Sequence, residues 1–282
     1  MSKLKDLKTR IVSVTKTRKM TQAMKMVSAA KFKRASDEIL KFRPYYTSFE
    51  DFIYVLQHHG EHSDNHPLFK SNGVDKELVI VLTADRGLCG GFNTNVVKEA
   101  MSYCKSKKSV DVVCIGRKAI QLFKRSSFNV IKTYEGFEHN SLKQVRQIIR
   151  PLKHEFLKKK YGKIVLFHTQ FKSAISSFVD SLQIMPIYVK TDDDPVLQDY
   201  IFEPDSFNLF ENLSVDFVYL SVYKAFLESK AAEEGSRMAA MDAATDNAKD
   251  MIDQLSLMYN RVRQAKITTE LAEIVAGANA LA

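Results

Sequence analysis

The chain has little that breaks a helix. Six prolines and ten glycines serve 282 residues, few for a soluble protein, and that scarcity favours long uninterrupted helices. Three cysteines, an odd number without C-x-x-C spacing, argue against a disulfide framework and for reduced thiols in a cytosol-like compartment. A signal-peptide core is missing, and no apolar run approaches the roughly eighteen residues of a membrane span. Nucleotide signatures are missing as well. The glycine-rich stretch Thr83 to Asn93, TADRGLCGGFN, follows the apolar run ELVIVL and precedes a helical pattern, where a phosphate-gripping loop would sit. Yet no lysine follows at the P-loop spacing, and there is no G-x-G-x-x-G.

What is present is 45% apolar and 27% charged, ordinary globular chemistry with a net charge of +9. The excess is uneven. Residues 1 to 43 hold thirteen Lys/Arg against three Asp/Glu, whereas residues 211 to 260 hold nine acids against four bases. Oppositely charged ends attract, and the surplus on the N-terminal segment is left for an acidic partner.

Apolar positions Phe32, Ala35, Ile39, Phe42, Tyr46, Phe49, Ile53 and Leu56 alternate spacings of three and four, and Leu4, Leu7, Ile11 and Val14 repeat the rhythm upstream. This is a heptad seam. Pro44 falls inside it and is expected to kink the helix, but the phase carries across. Glu234, Met238, Met241, Thr245, Ala248, Met251 or Ile252, Leu255, Met258, Val262 and Ala265 keep nearly the same rhythm near the C-terminus, with no proline after Pro204. The two helices reach ~80 Å and ~105 Å at 1.5 Å per residue. A globule of this chain length has a radius of gyration of only ~19 Å, so neither fits inside a compact domain.

Joined by a folded middle, the two helices are expected to run antiparallel, the C-terminal one overhanging. Ile267, Leu271, Ile274, Val275 and Leu281 then lack an intramolecular partner, and a foreign surface is expected to cover them. Between the helices, strand-like runs at 78 to 83, 110 to 116, 128 to 134 and 163 to 169 alternate with helical ones from Asn93, Arg117 and Ser141. A βαβ alternation of this kind predicts a mostly parallel sheet. The expected fold is α/β plus long α: an antiparallel coiled coil of N- and C-terminal helices (1 to 58 and 209 to 282) around a central Rossmann-like α/β domain (73 to 205). Gly87, Gly90 and Gly91 permit the strand-to-helix turn, and Asn93 or Thr94 is expected to cap the helix that follows.

Several residues invite a chemical role beside a plainer one. His58, His59, His62 and His66 have metal-compatible spacing, but HHGEHSDNHP reads as a loop leaving the first helix. Thr191 to Pro195, TDDDP, reads more simply as a solvated loop than as a cation site. Cys89 precedes a helix N-terminus, which lowers a thiol pKa, yet no histidine lies near it to make a nucleophile. Cys104 and Cys114 read as core thiols. The basic N-terminal segment lacks the interleaved aromatics of single-strand nucleic-acid binders and reads as a solvated coiled-coil face.

Four stretches are more specific: KTRKMTQAMKMVSAAKFKRA near the start, TADRGLCGGFN in the middle, IFEPD at 201 to 205, and YNRVRQAKITTELAEIVAGANAL at the end. Together, and in this order, they resemble the gamma subunits of F-type ATP synthases. The resemblance implies a coiled-coil rotor shaft inside a hexamer of alpha and beta subunits, with the α/β domain meeting the proton-carrying membrane ring (c-ring) and the small epsilon subunit beside it. It implies one copy per complex, peripheral to the membrane, and the missing presequence makes the expected place the cytoplasmic face of a bacterial inner membrane. It also implies a non-catalytic chain without cofactor, metal or nucleic acid, since the nucleotides belong to alpha and beta.

By motif, the resemblance makes Arg263 and Gln264 the pair that catches a loop of the open beta subunit. Met24 and Lys25 face the acidic beta lever loop, Lys98 faces the lever domain, and Thr268 and Glu270 are polar positions of the upper shaft. Leu271, Ile274, Val275 and Ala276 form an apolar bearing, and Glu203 faces the ring. The chloroplast cysteine insertion is missing, so thiol regulation is not expected. The readings left beside this one are a nucleotide-dependent transferase with helical dimerisation arms and a basic nucleic-acid binder.

Overall fold

The computed structural model describes residues 2–59, 66–136, 141–173, 176–189, 203 and 205–281. Helix α1 spans Ser2–His59 and helix α5 spans Ser206–Leu281. The chain divides into two units, Met1–Ser28 with Met238–Ala282, and Ala29–Arg237, so each long helix contributes to both.

In the first unit α1 and α5 run antiparallel. Thr21 meets Thr245 and Lys25 meets Asp242, so positions advancing along one helix pair with positions receding along the other. Leu7 is buried on the α1 side of the seam and Met241 and Ala248 on the α5 side. Of the alternatives at the next α5 position, Ile252 is half-buried while Met251 is 51% exposed. Further along, Tyr259 takes the inward place expected for Met258, which is 50% exposed. The correction is a one-residue phase drift, because an α-helix repeats every 3.6 residues rather than every 3.5.

In the second unit, strands β1 (Glu77–Leu82), β2 (Val110–Ile115), β3 (Asn129–Tyr134), β4 (Lys163–Phe171) and β5 (Ser177–Met185) form one sheet in the order β3-β2-β1-β4-β5. All neighbours are parallel except β4 and β5, which pair antiparallel. β5 is the strand that the sequence pattern did not reveal; it lies at the sheet edge and its first half is largely exposed. Helices α2 (Phe92–Lys105) and α3 (Arg117–Phe123) cover one face, packing on Val79, Val81, Val112 and Cys114. The other face, Leu78, Ile80, Val113 and Ile164, packs on α4 (Leu142–Leu157) and on the nearby parts of α1 and α5.

Two prolines lie inside helices without ending them, Pro44 in α1 and Pro151 in α4. A helical proline leaves the carbonyl four residues earlier without its donor. Those residues, Leu40 and Gln147, are exposed, as are the prolines, so water can take the freed carbonyl.

Candidate functional site

The glycine loop leaves the C-terminal end of β1, the edge at which open α/β sheets hold ligands. Its own side chains fill that place. The Thr83 hydroxyl accepts from the Ala119 amide at 2.8 Å. Asp85, its side chain 8% exposed, accepts from the amides of Arg117 and Gly136, both at 2.9 Å. A carboxylate therefore already sits on the first amide of α3, where a phosphate would be held. Gly116, at φ +93°, lets the strands close up here, since a Cβ on it would lie 2.1 Å from the Thr83 carbonyl oxygen.

The loop tip is fixed from below. Gly90 takes a left-handed φ of +55°, and so does Leu88 at +61°, which leaves Leu88 62% exposed. Cys89 and Phe92 are buried with Ala84 against Ala232 of α5. Asn93 does not cap α2, contrary to expectation. Its amide oxygen accepts from the Ala84 amide at 2.8 Å and its NH2 donates to the Cys89 sulfur at 3.0 Å, while Gly91 holds the cap position. Closing the loop on itself uses both ends of this side chain. Cys89 is likewise not activated: burial raises its thiol pKa, outweighing the attraction of Arg237. Cys104 and Cys114 are buried in the core, their thiols pushed up by burial to about 11 and about 12.

Arg237 holds the loop to α5. Its Nε donates to the Gly87 carbonyl at 3.3 Å, while its two terminal nitrogens meet Glu233 at 2.6 Å and Glu234 at 2.9 Å. Lys230 lies within 3.5 Å of both carboxylates, so two buried acids share two cations. In the sequence these charges are counted and Glu234 is placed on the helix seam, but their pairing with Arg237 went unnoticed, although E-E-x-x-R places charges at the i,i+3 and i,i+4 spacing of helical pairs.

In the coiled-coil unit the seam turns polar. Thr21 and Ser28 are buried, Arg18 and Lys25 half-buried. Lys25 pairs with Asp242 at 2.5 Å, so part of its charge is engaged within the chain, and Met24 beside it is half-buried. Arg263 and Gln264 stand exposed on α5. One turn further, the Thr268 hydroxyl donates to the Gln264 carbonyl, and Glu270 pairs with Lys266 at 3.2 Å. Among and beyond them Ile267 is 47% exposed, Leu271 57%, Ile274 67% and Val275 57%, with Ala276 also exposed. The side chain of Leu281 lies outside the described residues. Lys98 is exposed on α2, and Glu203 is exposed at a bend before α5; both belong to the sheet unit.

His66 is occupied rather than free for a metal: its Nε2 lies 3.3 Å from a Glu211 carboxylate oxygen and its Nδ1 accepts from the Leu68 amide. The side chains of His58 and His59, all of His62, and Thr191 to Pro195 lie outside the described residues.

An antiparallel pair of terminal helices enclosing in sequence a five-stranded α/β domain, with an uncovered apolar helix end, defines a coiled-coil protein that works through contact with other chains. The comparisons give its family. The ATP synthase family model matches residues 3–281. The chain is 38% identical over 290 residues to the ATP synthase gamma chain of Prosthecochloris aestuarii, covering 100% of this chain and 99% of that one. It is 39% identical over 287 residues to that of a Geobacter species, with the same coverage. In fold it is similar to a chain of the Euglena gracilis mitochondrial ATP synthase, OSCP/F1/c-ring, with TM-score 0.71 and 16% identity over 99% of this chain and 94% of that one. The protein belongs to the ATP synthase gamma-chain family.

Proposed function

We propose that this chain is the central rotor shaft of an F-type ATP synthase, coupling rotation of the membrane proton ring to sequential conformational change at catalytic sites on the beta subunits. The observation that carries the reading is the last part of α5, where Ile267, Leu271, Ile274 and Val275 stand 47 to 67% exposed. Apolar side chains in such a row stay out of water only inside a sleeve supplied by other chains. Non-directional contact favours no orientation strongly, which suits a bearing.

The polar positions act differently. A shaft whose surface varies around its axis binds open and closed beta conformers unequally, and only that difference can shift their populations. A tenfold change in affinity takes ~1.4 kcal/mol. A few charge-assisted hydrogen bonds from Arg263, Gln264 and the basic face around Met24 and Lys25 are of that magnitude. Thr268 and Glu270 extend this catch, Lys98 meets the beta lever domain, and Glu203 meets the ring, with the epsilon subunit beside the α/β domain. In this reading residues 1 to 58 and 209 to 282 are the shaft and 73 to 205 its foot.

The chain itself is non-catalytic. Asp85 supports this, because a phosphate placed at the sheet edge would meet a buried carboxylate. The complex works from the cytoplasmic face of a bacterial inner membrane, and among the described residues no helix is long and apolar enough to cross one. Co-expression with alpha and beta chains, followed by sizing and an ATPase assay, tests the proposal. One copy per hexamer with restored turnover is expected; a chain that stays out of the assembly overturns it.

A further inference from the structure

Helix α4 has one buried face and one strongly basic face. Val145, Ile148, Ile149, Leu152 and Phe156 pack inward on the sheet. Between residues 143 and 160 the sequence places seven Lys/Arg against a single acid, Glu155. Glu155 is engaged by Lys160 at 2.5 Å, and Arg146 is engaged by Asp216 of α5 at 3.0 Å. Lys143, Arg150, Lys153, Lys158 and Lys159 form no ion pair among the described residues, and all are exposed except half-buried Lys153. Lys143, Arg150 and Lys153 share one side of α4 within about 15 Å, and Lys158 and Lys159 follow in the turn just past its end.

We propose that this face docks on an anionic lipid bilayer. Four to eight cations on an amphipathic helix are the pattern that anionic headgroups attract. The composition favours lipid over a protein socket. Protein hot spots are built from Trp, Tyr and Arg seated in desolvated pockets. This face is mostly lysine, a hydrated point charge suited to a smeared counter-charge, and its outward apolar residue is Leu157, 42% exposed. The proposal rests on the reading of the chain as a membrane-peripheral rotor subunit, whose foot would meet the bilayer beside the ring through α4.

The full-length chain is sedimented with vesicles of phosphatidylcholine alone and of phosphatidylcholine mixed with phosphatidylglycerol. Binding to the mixed vesicles only, weakening with salt, is expected. Each cation near such a surface contributes about fivefold in affinity, so the fourfold variant Lys143→Glu/Arg150→Glu/Lys153→Glu/Lys159→Glu loses at least ~10-fold. The charge-matched variant Lys5→Glu/Lys8→Glu/Lys19→Glu/Lys33→Glu on α1 keeps most of the binding. Because the three native thiols are buried, a fluorophore on Gln147→Cys reports the face directly, even if the fourfold variant fails to fold. It is quenched by headgroup-labelled anionic vesicles, and a fluorophore on Ser13→Cys is not.

Absent binding, equal binding to neutral vesicles, equal loss from the α1 variant, or an unquenched label at position 147 each overturns the proposal. An α4 variant that binds vesicles normally but is excluded from the assembled complex overturns it in favour of an acidic protein partner. Assembly with alpha and beta chains is measured separately, so a chain that assembles yet ignores anionic vesicles keeps the rotor reading and loses this one.

Discussion

Thr21 of α1 and Thr245 of α5 hydrogen-bond through their hydroxyls at 2.8 Å across the coiled-coil seam. Each hydroxyl also lies within reach of a carbonyl of its own helix, Arg18 at 3.0 Å and Met241 at 2.7 Å. Two protons cannot make three bonds at once, so one hydroxyl donates across the seam while the other donates to its own helix. A polar layer of this kind sets register, because sliding one helix past the other leaves a hydroxyl facing an apolar neighbour.

Replacing Thr21 by Val should lower stability by about 1 kcal/mol, since the Thr245 hydroxyl loses its cross-seam partner. The double variant Thr21→Val/Thr245→Val should cost less than the two single changes added together. Denaturant midpoints of the four proteins measure the coupling, and strict additivity would refute a shared bond.

Arg237→Met should be more damaging. It leaves Glu233 and Glu234, whose side chains are only 11% and 3% exposed, with Lys230 alone, and stranding a buried charge costs about 3 to 5 kcal/mol. Adding Glu233→Gln and Glu234→Gln should recover much of the loss. Thermal unfolding of the single and triple variants decides between this account and a purely steric one.

Gly116→Ala should cost upward of ~3 kcal/mol or prevent folding. The new methyl would fall 2.1 Å from the Thr83 carbonyl oxygen, and the backbone φ of +93° suits only glycine. Soluble yield and melting temperature report it. Gly136→Ala, also at positive φ but with nothing within 4 Å, should be far milder.

Arg263→Ala/Gln264→Ala should leave chain stability within about 0.5 kcal/mol, because both side chains are exposed. Turnover of the assembled ATPase should fall while assembly is kept. Normal turnover would remove these residues from the catch.

His168, buried on β4, is held neutral: burial lowers its pKa from 6.5 to about 4, against the opposing pull of Asp180. The unfolded chain therefore binds the proton first, and stability present above pH 6.5 is lost as the pH falls toward 4. The loss amounts to about 2 kcal/mol between pH 6.5 and 5. Glu228 nearby, raised by burial, works in the opposite sense, so the test is a difference. Urea midpoints of the native protein and of His168→Gln should diverge at pH 7 and converge at pH 5.

The two long helices, the βαβ order and the uncovered C-terminal end were legible in the sequence because each is written in local periodicity. Spacings of three and four mark a helix face, and β-branched runs between turns mark buried strands. β5 escaped because an edge strand carries a weaker apolar alternation. Asn93 was misread as a cap because a cap position and a loop-closing position take the same residue type.

What the sequence determined by itself is which segments are helix or strand and which sides of them avoid water, since backbone geometry and burial impose periods that any window of residues displays. Only the tertiary structure decided that Asp85 occupies the phosphate position, that Arg237 fastens the glycine loop to α5, and that Lys25 answers Asp242. Those partners are 32 to 217 residues apart in sequence, counting Asp85 to the Arg117 amide and Lys25 to Asp242. Nothing in a local pattern specifies which polar group will meet which once the chain has closed on itself.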